Sequence, residues 1–205
     1  MKVELQQVGK RFRRDWILRG VDLLIEPGSR MAITGPNGSG KSTLLKMICG
    51  HLTPSKGKVN YSLAGKKLEL DQVYAHLAYA APYIELIEEF SLQEAIDFHC
   101  KFKPFQHKLS TKDIIALLGF ERSSTNEVRN FSSGMKQRLK LVLAICSSAP
   151  LLLLDEPTTN LDAQGTEWYA ELIAEFGASR SIIVASNVET DYSFCDSAVN
   201  ILAYK

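Results

Sequence analysis

Gly35-Pro36-Asn37-Gly38-Ser39-Gly40-Lys41-Ser42-Thr43 separates two segments of different character. Before it, Arg30-Met31-Ala32-Ile33-Thr34 reads as a short buried strand. After it, Thr43-Leu44-Leu45-Lys46-Met47-Ile48-Cys49 reads as an amphipathic helix. The nonapeptide carries the spacing GxxxxGK[ST] of a loop that wraps nucleotide phosphates. Its glycines let backbone N–H groups turn inward around an anion with no Cβ in the way. Placed between a strand and a helix N-terminus, these donors add to the positive end of the helix. Lys41 can reach the outer phosphates, and the Ser42 hydroxyl can ligate Mg²⁺. Gly35 to Thr43 is therefore the candidate nucleotide-binding loop.

A second segment matches it. Leu151-Leu152-Leu153-Leu154 reads as a strand buried on both faces, and Asp155-Glu156 stand at its carboxyl end. Ligands of open α/β sheets bind at that end. Asp155 is placed to hold Mg²⁺, directly or through water. Glu156 is placed to orient or deprotonate a water attacking the γ-phosphate.

The rest of the chain supports an α/β core with a helical insertion. Val3, Leu5 and Gln7, then Ile17, Val21, Leu23 and Ile25, alternate in strand fashion up to the turn Glu26-Pro27-Gly28. Lys58–Tyr61 and Leu77–Ala80 read as further strands. From Ser91 to about Cys146 the pattern turns helical. Ser91 with Glu94 is a capping-box pair opening one helix, and Ser110-Thr111-Lys112-Asp113 opens another. Met135, Leu139, Val142 and Cys146 share one face of a third. Strands are expected again at Leu151–Leu154, Ile182–Ala185 and Ala198–Leu202, with a helix over Ala163–Phe176. Strands alternating with helices on both sides of a helical stretch imply an α/β fold with an α subdomain.

Composition narrows the function classes. The 205 residues hold 24 basic and 23 acidic side chains, a formal charge of +1. No field points to nucleic acid or anionic lipid, and no nucleic-acid partner is expected. The four cysteines are far apart without a CxxC pair, so neither a zinc site nor a disulfide framework is expected. The first residues lack the apolar region of a signal peptide, and the apolar stretch from Leu141 to Leu154 is too short for a bilayer. A cytoplasmic protein is expected.

Between the two phosphate-site motifs lies Asn130-Phe131-Ser132-Ser133-Gly134-Met135-Lys136-Gln137-Arg138, a polar loop running into a helix. The order GPNGSGKST, FSSGMKQR, LLLLDEPTTNLD resembles the ATP-binding-cassette (ABC) ATPase family over essentially the whole chain. FSSGMKQR is similar to the family signature LSGGQ-x-x-R, with Phe131 for Leu, Ser133 for the first Gly and Met135 for Gln. A helix N-terminus with a serine hydroxyl and small residues makes a second anion pocket.

The resemblance implies a P-loop NTPase (RecA-like) core with a β-rich N-terminal portion and an inserted helical subdomain. The boundaries fall at about 1–84 and 148–205 for the core and about 85–147 for the insertion, with no further C-terminal domain. It also implies ATP and Mg²⁺ as cofactors, a homodimer or paired ATPase subunit, and a membrane permease docking against the helical subdomain. In that arrangement Ser132 and Gly134 contact nucleotide held by the other subunit, and Asp162, in Thr158-Thr159-Asn160-Leu161-Asp162, reaches the dimer interface. A plain helix cap is the other reading of Asp162. Phe12, ending Val8-Gly9-Lys10-Arg11-Phe12, matches the aromatic that stacks on adenine, and Trp16 is an alternative stacker.

Two positions depart from the family pattern. Where members carry a Gln that senses Mg²⁺ and the γ-phosphate, this chain has Pro82, with Tyr83 or Glu85 as substitutes nearby. Where a His follows the strand Ile182–Ala185, Ser186-Asn187 stand, and Asn187 is the better match. An amide can hydrogen-bond a phosphate oxygen but carries no imidazolium charge. Both changes bear on the rate of hydrolysis more than on ATP binding. They favour one alternative to a transport subunit, a degenerate regulatory ATP-binding cassette, against which Glu156 and Lys41 argue. The other alternative is a soluble non-transport ABC ATPase, a kind that usually carries two cassettes or a long coiled-coil insertion, neither of which is seen in this sequence.

Overall fold

A computed structural model describes residues 1–205. In chain order the elements are β1 (Lys2–Phe12), β2 (Asp15–Ile25), β3 (Arg30–Thr34), α1 (Lys41–Ile48), β4 (Lys56–Leu63), β5 (Lys66–Leu68), α2 (Leu70–Val73) and β6 (Leu77–Ala80). They continue with α3 (Leu92–Phe102), α4 (Thr111–Leu118), α5 (Ser133–Ile145), β7 (Leu151–Asp155), α6 (Ala163–Phe176), β8 (Ser181–Ala185) and β9 (Ser197–Asn200). The fold is a mixed α/β P-loop NTPase type. The chain divides into two compact units, one of Met1–Tyr79, Pro150–Glu156 and Ser179–Lys205, the other of Ala80–Ala149 and Pro157–Ala178.

The first unit holds both sheets. One is four-stranded in the order β2-β1-β4-β5, with antiparallel ladders. The other is five-stranded in the order β6-β7-β8-β3-β9, and the β7–β8, β8–β3 and β3–β9 ladders are parallel. Every residue of β7 and β8 is buried, which is why both read as apolar runs rather than alternating ones. Val3, Leu5, Val8, Leu18, Val21 and Ile25 of the antiparallel sheet share one core with Leu44, Leu45, Met47 and Ile48 of α1 and with Leu151, Leu153 and Ile183. Each such aliphatic side chain contributes roughly 1.5–3 kcal/mol by leaving water.

Two strand expectations are corrected here. The alternation Val3, Leu5, Gln7 breaks at Gln7, which is exposed and has φ +48°. The pairing of β1 with β2 shifts register between Leu5 and Val8, so Val8 turns inward in its place. Gln7 instead donates its backbone N–H to the Asp22 carboxylate at 2.7 Å. After the same irregular stretch, Leu18 is the fully buried residue and Ile17 is half-buried. At the far end, the strand expected over Ala198–Leu202 stops at Asn200. Its side chain accepts from Leu202 N–H at 3.0 Å and starts a 3₁₀ turn over Ile201–Tyr204.

The second unit is helical. Ser91 with Glu94 and Ser110 with Asp113 close as capping boxes on α3 and α4. Gly119, at φ +69°, ends α4 in the left-handed conformation that glycine adopts without strain. On α5, Leu139 and every residue from Leu141 to Ile145 are buried, and so is Cys146, its C-cap. Gln106 Nε2 donates to the carbonyls of Ile145, Ser147 and Phe176, joining the ends of α5 and α6. Helix α6 packs within this unit, although its sequence position after β7 placed it in the core portion. No helix is long and apolar enough to cross a membrane.

Candidate functional site

In the first unit the phosphate loop is shaped by what its glycines exclude. A Cβ on Gly35 (φ +144°) would lie 2.6 Å from Cγ2 of buried Ile201, and one on Gly40 (φ +99°) would lie 2.9 Å from Ile17 Cγ2. Gly40 caps α1 without a side-chain acceptor, so the first amides of the helix stay available as donors. Pro36, Asn37 and Gly38 form the exposed rim, and Ser42 and Thr43 are half-buried in the first turn of α1. Lys41 is 4% exposed, and its Nζ donates to the carbonyls of Gly35 at 2.8 Å and Pro36 at 3.3 Å. The cation is thus held across the mouth of its own loop. Ser39 is buried, and its Oγ has no hydrogen-bond partner.

Parallel pairing sets the carboxylates beside this loop. Asp155 of β7 and Ile33 of β3 are both in register with Ala185 of β8, so the three stand at one level across neighbouring strands. The loop leaves β3 one residue beyond that level, after Thr34. Asp155 is 1% exposed, and the Tyr79 hydroxyl lies 3.5 Å from its Oδ2. Tyr79, edge-on to His51, was read from sequence only as a strand residue. Its phenol in an otherwise apolar strand was the available signal.

Glu156 has φ +44°, and its N–H donates to Ala185 O at 2.8 Å. A non-glycine residue in that region costs on the order of 1–3 kcal/mol and persists where the surroundings enforce it. Beyond β8, Ser186 N–H donates to Ile33 O. The Ser186 hydroxyl donates to Asp191 Oδ2 at 2.6 Å and accepts from Val188 N–H at 3.0 Å. Ser186 is thereby used up in shaping the turn, whereas Asn187 is exposed.

Of the two aromatics, Phe12 is the more open. It ends β1, is 47% exposed, and has Lys10 Nζ 5.2 Å from its ring centre. Trp16 is half-buried over Gly9, where a Cβ would meet its Cζ3 at 2.9 Å, and both Arg11 and Arg19 lie 5.6 Å from its ring.

The second unit gathers a different set. Ser132 caps α5, its Oγ accepting from Met135 N–H at 3.2 Å. Gly134 packs against the loop before α6: a Cβ there would lie 3.0 Å from the Asn160 carbonyl. Asp162 caps α6, its Oδ1 accepting from Gly165 N–H at 2.7 Å. Together these residues line a cleft of about 380 Å³ with Arg138. The Arg138 guanidinium is stacked 4.5 Å from the Trp168 ring and 5.3 Å from the Phe120 ring. Burial draws its pKa down, and the charge of Asp162 acts the other way. Pro82, Tyr83 and Glu85 line a separate cleft with Lys136 and Lys140. The Pro82 carbonyl accepts from Lys140 Nζ at 2.6 Å.

The strand ends thus bring Gly35–Thr43, Asp155, Glu156 and Asn187 together in one unit, and the helix caps bring Ser132, Gly134 and Asp162 together in the other. Residues 18–159 match the family model described as ABC transporter. YybJ of Bacillus subtilis, an uncharacterized ABC transporter ATP-binding protein, is 28% identical over 97% of this chain and 92% of its own length. FbpC of Yersinia pestis, an Fe(3+) ions import ATP-binding protein, is 32% identical over 99% of this chain, which spans 60% of FbpC. A solved ATP-binding cassette, a dimer in a post-hydrolysis state with ADP and Pi, shares the fold at TM-score 0.81. It covers 97% of this chain and 94% of that one at 22% identity. A phosphate loop, a serine-capped helix and a strand-end carboxylate pair, in that order along a matching stretch of more than half the chain, carry one conclusion: the chain belongs to the ABC transporter family, as an ATPase cassette.

Proposed function

We propose that this chain binds ATP with Mg²⁺, hydrolyses it by in-line attack of water, and supplies that energy to a membrane permease on its cytoplasmic side. The observation that carries the reading is the shared level of Ile33, Ala185 and Asp155, with Glu156 bonded to Ala185 one residue further on. An anion-binding loop after β3 and two carboxylates at the end of β7, on either side of β8, suit phosphoryl transfer by positioning and charge.

In this reading the amides of Gly35–Thr43 and Lys41 bind the phosphates, and Phe12 stacks on the adenine. Ser42 and Asp155 would hold Mg²⁺: one hydroxyl and one buried carboxylate are hard oxygen donors, the kind this ion takes alongside nucleotide phosphates. Bound there, the ion would neutralise charge on the β- and γ-phosphates. Glu156 orients the attacking water and accepts its proton. Asn187 hydrogen-bonds the γ-phosphate. Ser132 and Gly134 contact the γ-phosphate of ATP held by a second copy, and Asp162 lies in that interface. The dimeric state of the structural neighbour and the transporter names of YybJ and FbpC support the assembly and the coupling.

Two variants test this reading. Lys41→Ala should weaken ATP binding. Glu156→Gln should keep ATP bound and stop phosphate release. Full hydrolysis by Glu156→Gln would remove that residue from the mechanism.

A further inference from the structure

Between β6 and α3 the chain runs from Ala81 to Phe90 without regular structure, and its own turn bonds are long: Ile84 N–H to Ala81 O at 3.2 Å and Phe90 N–H to Ile87 O at 3.3 Å. Its last residues are tied down by neighbouring backbone. Arg129 N–H donates to Glu88 O at 3.0 Å and Val128 N–H to Phe90 O at 2.9 Å. Two side chains of α5 anchor it as well. Lys140 Nζ donates to the Pro82 carbonyl at 2.6 Å, and Lys136 Nζ pairs with the Glu88 carboxylate at 2.5 Å.

The two lysines are one helical turn apart on α5 and therefore share a face. Both are half-buried and line, with Pro82, Glu85 and Glu88, a cleft of about 710 Å³. Burial and the neighbouring Lys136 charge lower the pKa of Lys140, and Glu85 opposes them. Pro82 has no N–H to offer and its ring cannot accept a hydrogen bond, so its carbonyl is the polar handle it presents. Lys140 takes that handle.

We propose that Lys140, with Lys136 as a second anchor, is the positioning residue for the 82–88 segment, fixing its path from α5 rather than from the nucleotide. The same helix starts at the cap Ser132, about 12 Å from Lys140 along the axis. A rigid helix carrying the segment at one point and the Ser132–Gly134 cleft at the other makes the two move together. The effect on turnover rests on the ATPase reading; the tether itself does not.

Amide hydrogen exchange over residues 81–90 tests the tether in the whole chain without nucleotide. Lys140→Met keeps the aliphatic stem and removes the donor. Exchange of this segment should rise by about tenfold, as expected for losing a charged hydrogen bond, while α4 and α6 keep their protection. Lys140→Arg should restore protection in part. Glu88→Gln, at an exposed position, should loosen the segment less, because only the second anchor is lost. Segment exchange unchanged in both Lys140→Met and Glu88→Gln overturns the proposal, and so does a rise spread evenly over the chain.

ATP turnover adds a second readout. Lys140→Met should lower kcat with the KM for ATP unchanged. A parent chain that does not hydrolyse ATP would sink the ATPase reading and leave the exchange result standing.

Discussion

The backbone N–H of Glu156 donates to the carbonyl of Ala185 at 2.8 Å, and Glu156 takes φ +44° in doing so. The bond spans two neighbouring parallel strands at their carboxyl ends. It holds the Glu156 backbone in a conformation that its Cβ disfavours.

That strain separates stability from chemistry. Glu156→Gly should raise stability by up to about 1 kcal/mol, because glycine accepts positive φ without penalty. The same variant should lose phosphate release by at least about 100-fold, as expected when a positioned base is removed. Glu156→Gln should show the second effect without the first. Denaturant melts and single-turnover phosphate release on both variants decide the matter.

Assembly should depend on the second unit. In the Glu156→Gln background, ATP should promote dimerisation and ADP should not, because in the proposed assembly only ATP offers a γ-phosphate to Ser132 and Gly134 of the other copy. Ser132→Arg fills the cleft and should abolish the dimer. Gly134→Ala pushes a methyl group to 3.0 Å from the Asn160 carbonyl and should weaken it by displacing that loop. Light scattering at several protein concentrations reads all three.

At the end of β8, the proposed role in chemistry falls on Asn187 and the shaping of the turn on its neighbour Ser186. Asn187→His should raise kcat and Asn187→Ala lower it, by about 10-fold, as a neutral-for-charged change at a transition-state contact is worth on the order of 1–3 kcal/mol. Ser186→Ala should instead act on stability, costing about 1–2 kcal/mol through the lost bond to Asp191. Steady-state assays beside thermal melts separate the two. Wild-type turnover by Asn187→Ala would remove Asn187 from the site.

Acid should weaken the helical unit through His99. Burial lowers its pKa to about 4, its Nε2 lies 2.9 Å from Ser147 Oγ, and its ring stacks on Phe105. The unfolded chain, with an ordinary pKa of about 6.5, binds the proton first. Stability is therefore complete above about pH 6.5 and falls as the pH drops, by up to about 1.4 kcal/mol per unit, until His99 titrates in the folded state. His99→Gln, which keeps a hydrogen bond to Ser147, should flatten the dependence of Tm between pH 7 and pH 5.

Where bonds close within a few residues, the sequence alone determined the outcome. The strand–loop–helix around Gly35–Thr43, the capping box at Ser91, the helix start at Ser110, the all-apolar strand Leu151–Leu154 and the helix Ala163–Phe176 were legible because each depends on its own residues and a local period. The resemblance in motif order added the family.

Tertiary structure decided what rests on distant partners. The bulge that turns Val8 inward instead of Gln7 arises from pairing with β2. The absence of a side chain at Gly35 makes room for Ile201, from the other end of the chain. Tyr79 meets Asp155 across 76 residues. Lys140 meets Pro82 across 58. Such contacts have no period and no local signature. They exist only once loop closure has been offset by the burial of the core, so they had to be read from the folded chain.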